Sequence, residues 1–268
     1  MPAPSRIDAT FDACRARGEA ALVTYVMAGD PDVATSRAMA LACAEGGADL
    51  LEIGMPFSDP IADGPTIQLA SERALAKGTT VANCLEIAAW VRARTPVPIA
   101  LMGYLNPVLS YGEERFVEDC GRAGVDAVII PDLPPEEAED FRALARRRGL
   151  ATVFLLAPTS TPARRKAACD AASGFLYFVS VTGVTGARRE LSEELPRQLA
   201  AVRAESPVPV VVGFGVSTPE QARSLAPLAD GVVVGSAIVS RIAEGGPRAA
   251  RAQRVRRFVS SLKRGLRR

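Results

Sequence analysis

Eight short apolar runs alternate with amphipathic stretches along the whole chain, and this alternation limits the fold more than any other feature. The runs fall at 21–27, 50–54, 99–104, 127–131, 151–156, 175–181, 208–214 and 231–235. Helix-periodic segments lie between them, at about 31–45, 68–94, 112–122, 135–148, 162–172, 192–204, 218–226 and 237–263. A further helix at about 7–17 precedes the first run. Strands separated by helices pair in parallel, because each crossover needs room for a helix. Eight such units in a chain of 268 residues point to an α/β fold, a single (β/α)8 TIM barrel with an extra N-terminal helix. No linker or shift of composition breaks the alternation, so residues 1–268 read as one domain.

Local signals agree. Asp30 before Pro31 reads as an N-cap followed by an N1 proline. Pro134-Pro135 before Glu136-Glu137, and Thr218-Pro219-Glu220, read as helix openings with acids in the first turn. A weak echo recurs before strands two, four and eight, as Ala48-Asp49, Val125-Asp126 and Ala229-Asp230. Its simplest reading is turn chemistry where a helix exits into a strand.

The residue inventory then narrows the chemistry. The chain has no histidine, and its only lysines are Lys77, Lys166 and Lys263. Serine or cysteine triads built on histidine and the usual catalytic zinc sites are therefore excluded. The five cysteines, Cys14, Cys43, Cys84, Cys120 and Cys169, form no CxxC pair and read as reduced thiols of a cytoplasmic protein. No signal-peptide pattern opens the chain, and no apolar run reaches a membrane span of about 20 residues. From Arg241 onward there are ten basic residues and one acid, Glu244. Ile242, Val255, Val259 and Leu262 give that segment an apolar stripe. It reads as the last barrel helix with a solvated outer face, not as a nucleic-acid or membrane contact.

Active sites of such barrels lie at the C-terminal ends of the strands. On the second strand, alternation sets Leu50 and Glu52 on one face and Leu51 and Ile53 on the other. With Ile53 toward the helices, Glu52 points into the barrel mouth. No strand run contains Lys or Arg, so no strand-borne cation partners this carboxylate. An apolar setting raises its proton affinity and suits it to general acid–base work. The loop at 55–66 adds Asp59, Asp63 and three prolines over the mouth. A second acid–base or substrate-orienting group fits it better than a metal site. After strand six, Gly183-Val184-Thr185-Gly186 reads either as a lid or as an ordinary connection. Gly213-Phe214-Gly215 and Gly235-Ser236 end strands seven and eight, where barrels of this kind bind phosphate. Carbon–carbon cleavage of a phosphorylated substrate would normally need a Schiff-base lysine or a metal as electron sink. With neither available on a strand, the sink must lie in the substrate, and a protonatable aromatic heterocycle would serve.

The stretch from Leu51 through Glu52-Ile53-Gly54-Met55-Pro56-Phe57-Ser58-Asp59-Pro60-Ile61-Ala62-Asp63-Gly64-Pro65-Thr66 to Gln68 closely resembles the tryptophan synthase α-subunit family. Ala28-Gly29-Asp30-Pro31, Tyr104-Leu105-Asn106-Pro107, Pro131-Asp132-Leu133-Pro134, the segment 180–186, Gly213-Phe214-Gly215 and Gly235-Ser236-Ala237-Ile238 extend the resemblance over about residues 7 to 260. It implies retro-aldol cleavage of indole-3-glycerol phosphate to indole and glyceraldehyde 3-phosphate in tryptophan biosynthesis. Glu52 matches the family's acid–base, and Asp63 matches the carboxylate that binds the indole N–H. Gly186, Phe214, Gly215, Gly235 and Ser236 match the phosphate site. Tyr25, Ile67, Met102, Ile129 and Tyr177 match the indole pocket, with Tyr25 and Met102 in place of Phe and Leu of some members. Thr185 matches the lid residue. The resemblance implies no cofactor in this chain and a pyridoxal-phosphate β subunit as partner, in an αββα assembly. The contact would involve the loops at 56–60 and 106–107. A stand-alone lyase that releases free indole would share every one of these residues. The second-strand stretch argues against a phosphosugar isomerase, and the presence of both acids argues against a barrel kept only to activate a partner.

Overall fold

The computed structural model describes residues 5–179, 194–213 and 215–267. Its strands are β1 (Ala21–Met27), β2 (Leu50–Gly54), β3 (Ile99–Met102), β4 (Ala127–Ile129), β5 (Ala151–Leu156), β6 (Leu176–Val179), β7 (Val210–Gly213) and β8 (Gly231–Val234). All pair in parallel, and β8 pairs back onto β1 to close the barrel. The helices are α1 (Arg6–Ala16), α2 (Val33–Glu45), α3 (Pro65–Ala76), α4 (Val81–Arg92), α5 (Leu105–Tyr111), α6 (Glu113–Ala123), α7 (Glu139–Arg147), α8 (Pro162–Ala171), α9 (Leu195–Glu205), α10 (Pro219–Leu225), α11 (Ser236–Ala243) and α12 (Arg248–Gly265).

Strand alternation divides the core in two. Leu51, Ile53, Leu101 and Val128 face the helices and join the larger cluster. Tyr25, Leu50, Ala100, Met102, Ile129, Tyr177, Val211 and Val233 fill the barrel interior, and Ile7 and Phe11 of α1 pack with this inner set. The leading helix therefore plugs the N-terminal end of the barrel and leaves the other end for chemistry.

The Asp echo is not turn chemistry. Asp49, Asp126 and Asp230 each accept a hydrogen bond from a strand amide on the preceding strand, Leu22 (2.7 Å), Ile99 (2.8 Å) and Val210 (3.0 Å). In each case the Asp amide donates back to the carbonyl of that same residue. Ser173, before β6, does the same with Thr152, accepting from its amide at 2.9 Å. The motif thus recurs before every even-numbered strand and ties neighbouring strands where pairing begins. Cations complete the three Asp sites: Lys263 and Arg17 on Asp49, Arg6 and Arg92 on Asp126, and Arg203 on Asp230.

Several boundaries move for local reasons. The 68–94 pattern breaks into α3 and α4 at Gly78, with φ of +75°, and Thr80 then caps α4 through a capping box. The 237–263 pattern breaks at Gly245 and Gly246, both with positive φ. Asp32, not Asp30, caps α2, accepting from the Thr35 amide at 2.7 Å. Asp30 instead receives both arms of Arg73, at 2.7 and 2.9 Å, fastening α3 to the loop after β1. The Pro134-Pro135 segment forms a turn, and α7 begins later, at Glu139. Thr218 does cap α10. Val255, Val259 and Leu262 are buried on α12, and Ile242 is buried on α11. A Cβ on Gly46 would stand 2.7 Å from Val259 Cβ, so α2 ends in a residue that admits α12 closely.

Candidate active site

Glu52 stands near the C-terminal end of β2 with only 1 % of its surface exposed. Its Oε2 has no hydrogen-bond partner, and among the described residues no cation pairs with it. Burial, with the nearby Asp63 charge adding to it, pushes its carboxyl up to about 8. A carboxyl in that range is protonated at neutral pH and can both give and take a proton.

Asp63 enters from the loop after β2. The Tyr104 hydroxyl donates to its Oδ2 at 3.1 Å and accepts from the Ala62 amide at 2.9 Å. Gln68 Nε2 holds the Asp63 carbonyl at 2.8 Å. Farther back, Ser71 Oγ bonds both the amide and the carbonyl of Phe57, and the Phe57 ring packs on Tyr104 at 5.2 Å. The loop is therefore anchored to α3 and to the end of β3. Burial raises Asp63 to about 6, and the Tyr104 hydrogen bond opposes that rise. Tyr104 is a site residue that the sequence reading missed as such. Its signal was present, because it opens the Tyr104-Leu105-Asn106-Pro107 motif directly after the third strand. Asp59 turns away to Ser58 Oγ at 2.5 Å.

Around the carboxylates the barrel interior is largely apolar. Tyr25, Ile67, Met102, Ile129 and Tyr177 are all buried and belong to the interior cluster. Glycines at the strand ends make room for the two phenols. A Cβ on Gly213 would stand 2.7 Å from the Tyr177 oxygen, and one on Gly54 would collide with the Tyr25 oxygen. Just beyond β7 Gly215 takes φ of +82°, a backbone shape that side chains disfavour. Gly235 caps α11, whose first residue, Ser236, is exposed. The Gly235 carbonyl takes the amides of Ile238 and Val239. The amides of Ser236 and Ala237 thus begin the helix without intrahelical partners, an arrangement that favours an anion. The structure brings together Glu52, Asp63, the five pocket residues and the rim formed by Gly215, Gly235 and Ser236. Thr185, Gly186 and Phe214 lie outside the described residues.

The family model, relatives and solved structures agree on one family. The family model described as tryptophan synthase alpha chain matches residues 11–267. The chain is 52% identical over 262 residues to the tryptophan synthase alpha chain of Citrifermentans bemidjiense, covering 98% of each protein. It is 53% identical over 259 residues to that of Geobacter sulfurreducens, covering 97% of this chain and 98% of the relative. Among solved structures, a chain of Mycobacterium tuberculosis tryptophan synthase superposes with a TM-score of 0.92 at 41% identity, over 99% of this chain and 100% of that one. The tryptophan synthase alpha chain of Legionella pneumophila gives 0.89 at 36% identity, over 98% and 97%.

Proposed function

The chain belongs to the tryptophan synthase alpha chain family, and from that premise we propose how its barrel mouth works as a carbon–carbon lyase. The substrate is indole-3-glycerol phosphate, and the products are indole and glyceraldehyde 3-phosphate. The observation that carries this reading is the pair of carboxyls: a fully buried Glu52 with an unpartnered oxygen, and Asp63 fixed by Tyr104.

Protonated Glu52 gives its proton to indole C3, which turns the ring into an indoleninium with its positive charge centred on nitrogen. The ionised Asp63 carboxylate accepts a hydrogen bond from the ring N–H and stabilises that charge. Glu52, now a carboxylate, takes the proton from the hydroxyl on the carbon next to the ring. The carbon–carbon bond breaks, its electrons neutralise the ring, and the hydroxyl carbon becomes the aldehyde. Glu52 ends protonated, ready for another cycle. The ring nitrogen is the electron sink, which fits a chain without histidine and without a lysine on any strand. The rim of Gly215, Gly235 and Ser236, together with Gly186 and Phe214, would hold the phosphate. Thr185 would close over the site.

The family name implies a β subunit as partner. We assign the contact to the loop at 56–60 and to the first turn of α5 at 106–107, the pyridoxal phosphate to that β subunit, and the assembly to an αββα tetramer in the cytoplasm. Exposed Ile61 (80 %), just after that loop, and Leu109 (51 %), on α5, support a covered surface there.

Acidity tests the roles. Asp63 must be ionised and Glu52 protonated, so kcat/KM for indole release rises as pH passes about 6 and falls as it passes about 8. Tyr104→Phe removes a donor to the ionised Asp63, so the acid limb moves upward while the basic limb stays. An acid limb that stays in place in Tyr104→Phe removes Asp63 from the role given to it.

A further inference from the structure

Tyr25 carries a hydroxyl that the barrel itself engages only weakly. In the β1–β2 register it sits directly beside Glu52, and its ring lies in the barrel interior. The base of the side chain packs on the phosphate rim: a Cβ on Gly235 would stand 3.2 Å from Tyr25 Cβ and 3.7 Å from Cδ1. At its other end the phenol rests on Gly54, two residues beyond Glu52. The ring therefore spans from the phosphate rim to the catalytic strand. Tyr25 is only 6 % exposed, and the hydrogen bond found for its oxygen is a weak one to Met27 Sδ at 3.9 Å. A buried phenol facing a thioether forfeits its hydration for almost nothing. Phenylalanine would fill the same volume without that loss, so the hydroxyl answers to a group that arrives from outside.

The substrate assigned above has one segment between its phosphate and its ring, the glycerol chain with two hydroxyls. We propose that Tyr25 Oη donates a hydrogen bond to a glycerol hydroxyl of the bound substrate, and so selects hydroxylated side chains rather than serving as a wall of the indole pocket. This rests on the functional reading above. A site that hydrogen-bonds a substrate hydroxyl discriminates against the analogue that lacks it.

The test uses Tyr25→Phe in complex with the β subunit and two ligands, indole-3-glycerol phosphate and indole-3-propanol phosphate, which has the same ring and phosphate but neither hydroxyl. The variant is expected to lose about tenfold in kcat/KM for the substrate, mostly through KM, while the inhibition constant of the propanol analogue stays unchanged. An equal loss for both ligands, or no loss for either, overturns the assignment. A fall confined to kcat, with the basic limb of the pH profile moved upward, would mean that the phenol serves Glu52 instead, and overturns it as well. Absence of indole release by the unmutated complex would overturn the functional reading itself, a result distinct from a Tyr25→Phe variant that works normally.

Discussion

Glu52→Gln is expected to lower indole release by about four orders of magnitude, near the upper end of what one acid–base group supplies. The size follows from double duty, since the same carboxyl protonates the ring and deprotonates the hydroxyl. A glutamine amide is nearly isosteric but can do neither. Four decades correspond to about 5.4 kcal/mol of barrier. Binding of indole-3-propanol phosphate should persist, because phosphate rim and apolar chamber are untouched. The same variant has a signature in stability. The folded protein holds the Glu52 proton up to about 8, above the ordinary glutamate value of 4.5. This contribution to stability is fully present below the unfolded value and is lost as pH rises from there to about 8. The wild-type melting temperature should therefore carry a fall between about pH 4.5 and pH 8 that Glu52→Gln lacks. Activity of the variant within tenfold of wild type would remove Glu52 from the mechanism.

Asp126→Ala is expected to cost about 3–5 kcal/mol, the range for breaking a buried charged network by removing one partner. The Asp126 side chain is 7% exposed and receives Arg6 at 2.7 Å, Arg92 at 2.9 Å and the Ile99 amide at 2.8 Å. Alanine would leave the first amide of β3 and a largely buried guanidinium without this acceptor. Arg92 would keep only its carbonyl partners, Thr95, Val97 and Gly124. For a chain of this size the melting temperature should drop by roughly 10 °C. Activity at 25 °C should change little, because this end of the barrel is remote from the carboxyl pair. A loss under about 1 kcal/mol in urea unfolding would reduce the inter-strand tie to a decorative contact.

The legible parts of this molecule are those governed by short-range pattern. β1, β2 and β5 begin and end where their apolar runs do, and the inward face of Glu52 follows from simple alternation in Leu50-Leu51-Glu52-Ile53. Strands three, four and eight stop short of their runs, because pairing ends before apolar character does. Contacts between distant loops were not legible. Tyr104 and Asp63 stand 41 residues apart and meet only because β2 and β3 are neighbours in the closed barrel. Ser173 escaped the Asp echo because a hydroxyl replaces the carboxylate, although the backbone exchange is identical. Asp30 and Asp32 flank the same proline, and only the finished fold shows that Arg73 claims the first and the α2 amide claims the second. Gly78 and the Gly245-Gly246 pair interrupt stretches whose amphipathic character continues on both sides, so periodicity alone joined what φ separates.

The central claim is a lyase built as one half of a larger machine. Its most direct test is indole release from indole-3-glycerol phosphate by the purified chain, measured with and without its β subunit. Slow release alone, strongly accelerated by the β subunit, is the predicted result. Fast release that the β subunit leaves unchanged would contradict it and mark a self-sufficient indole-producing lyase.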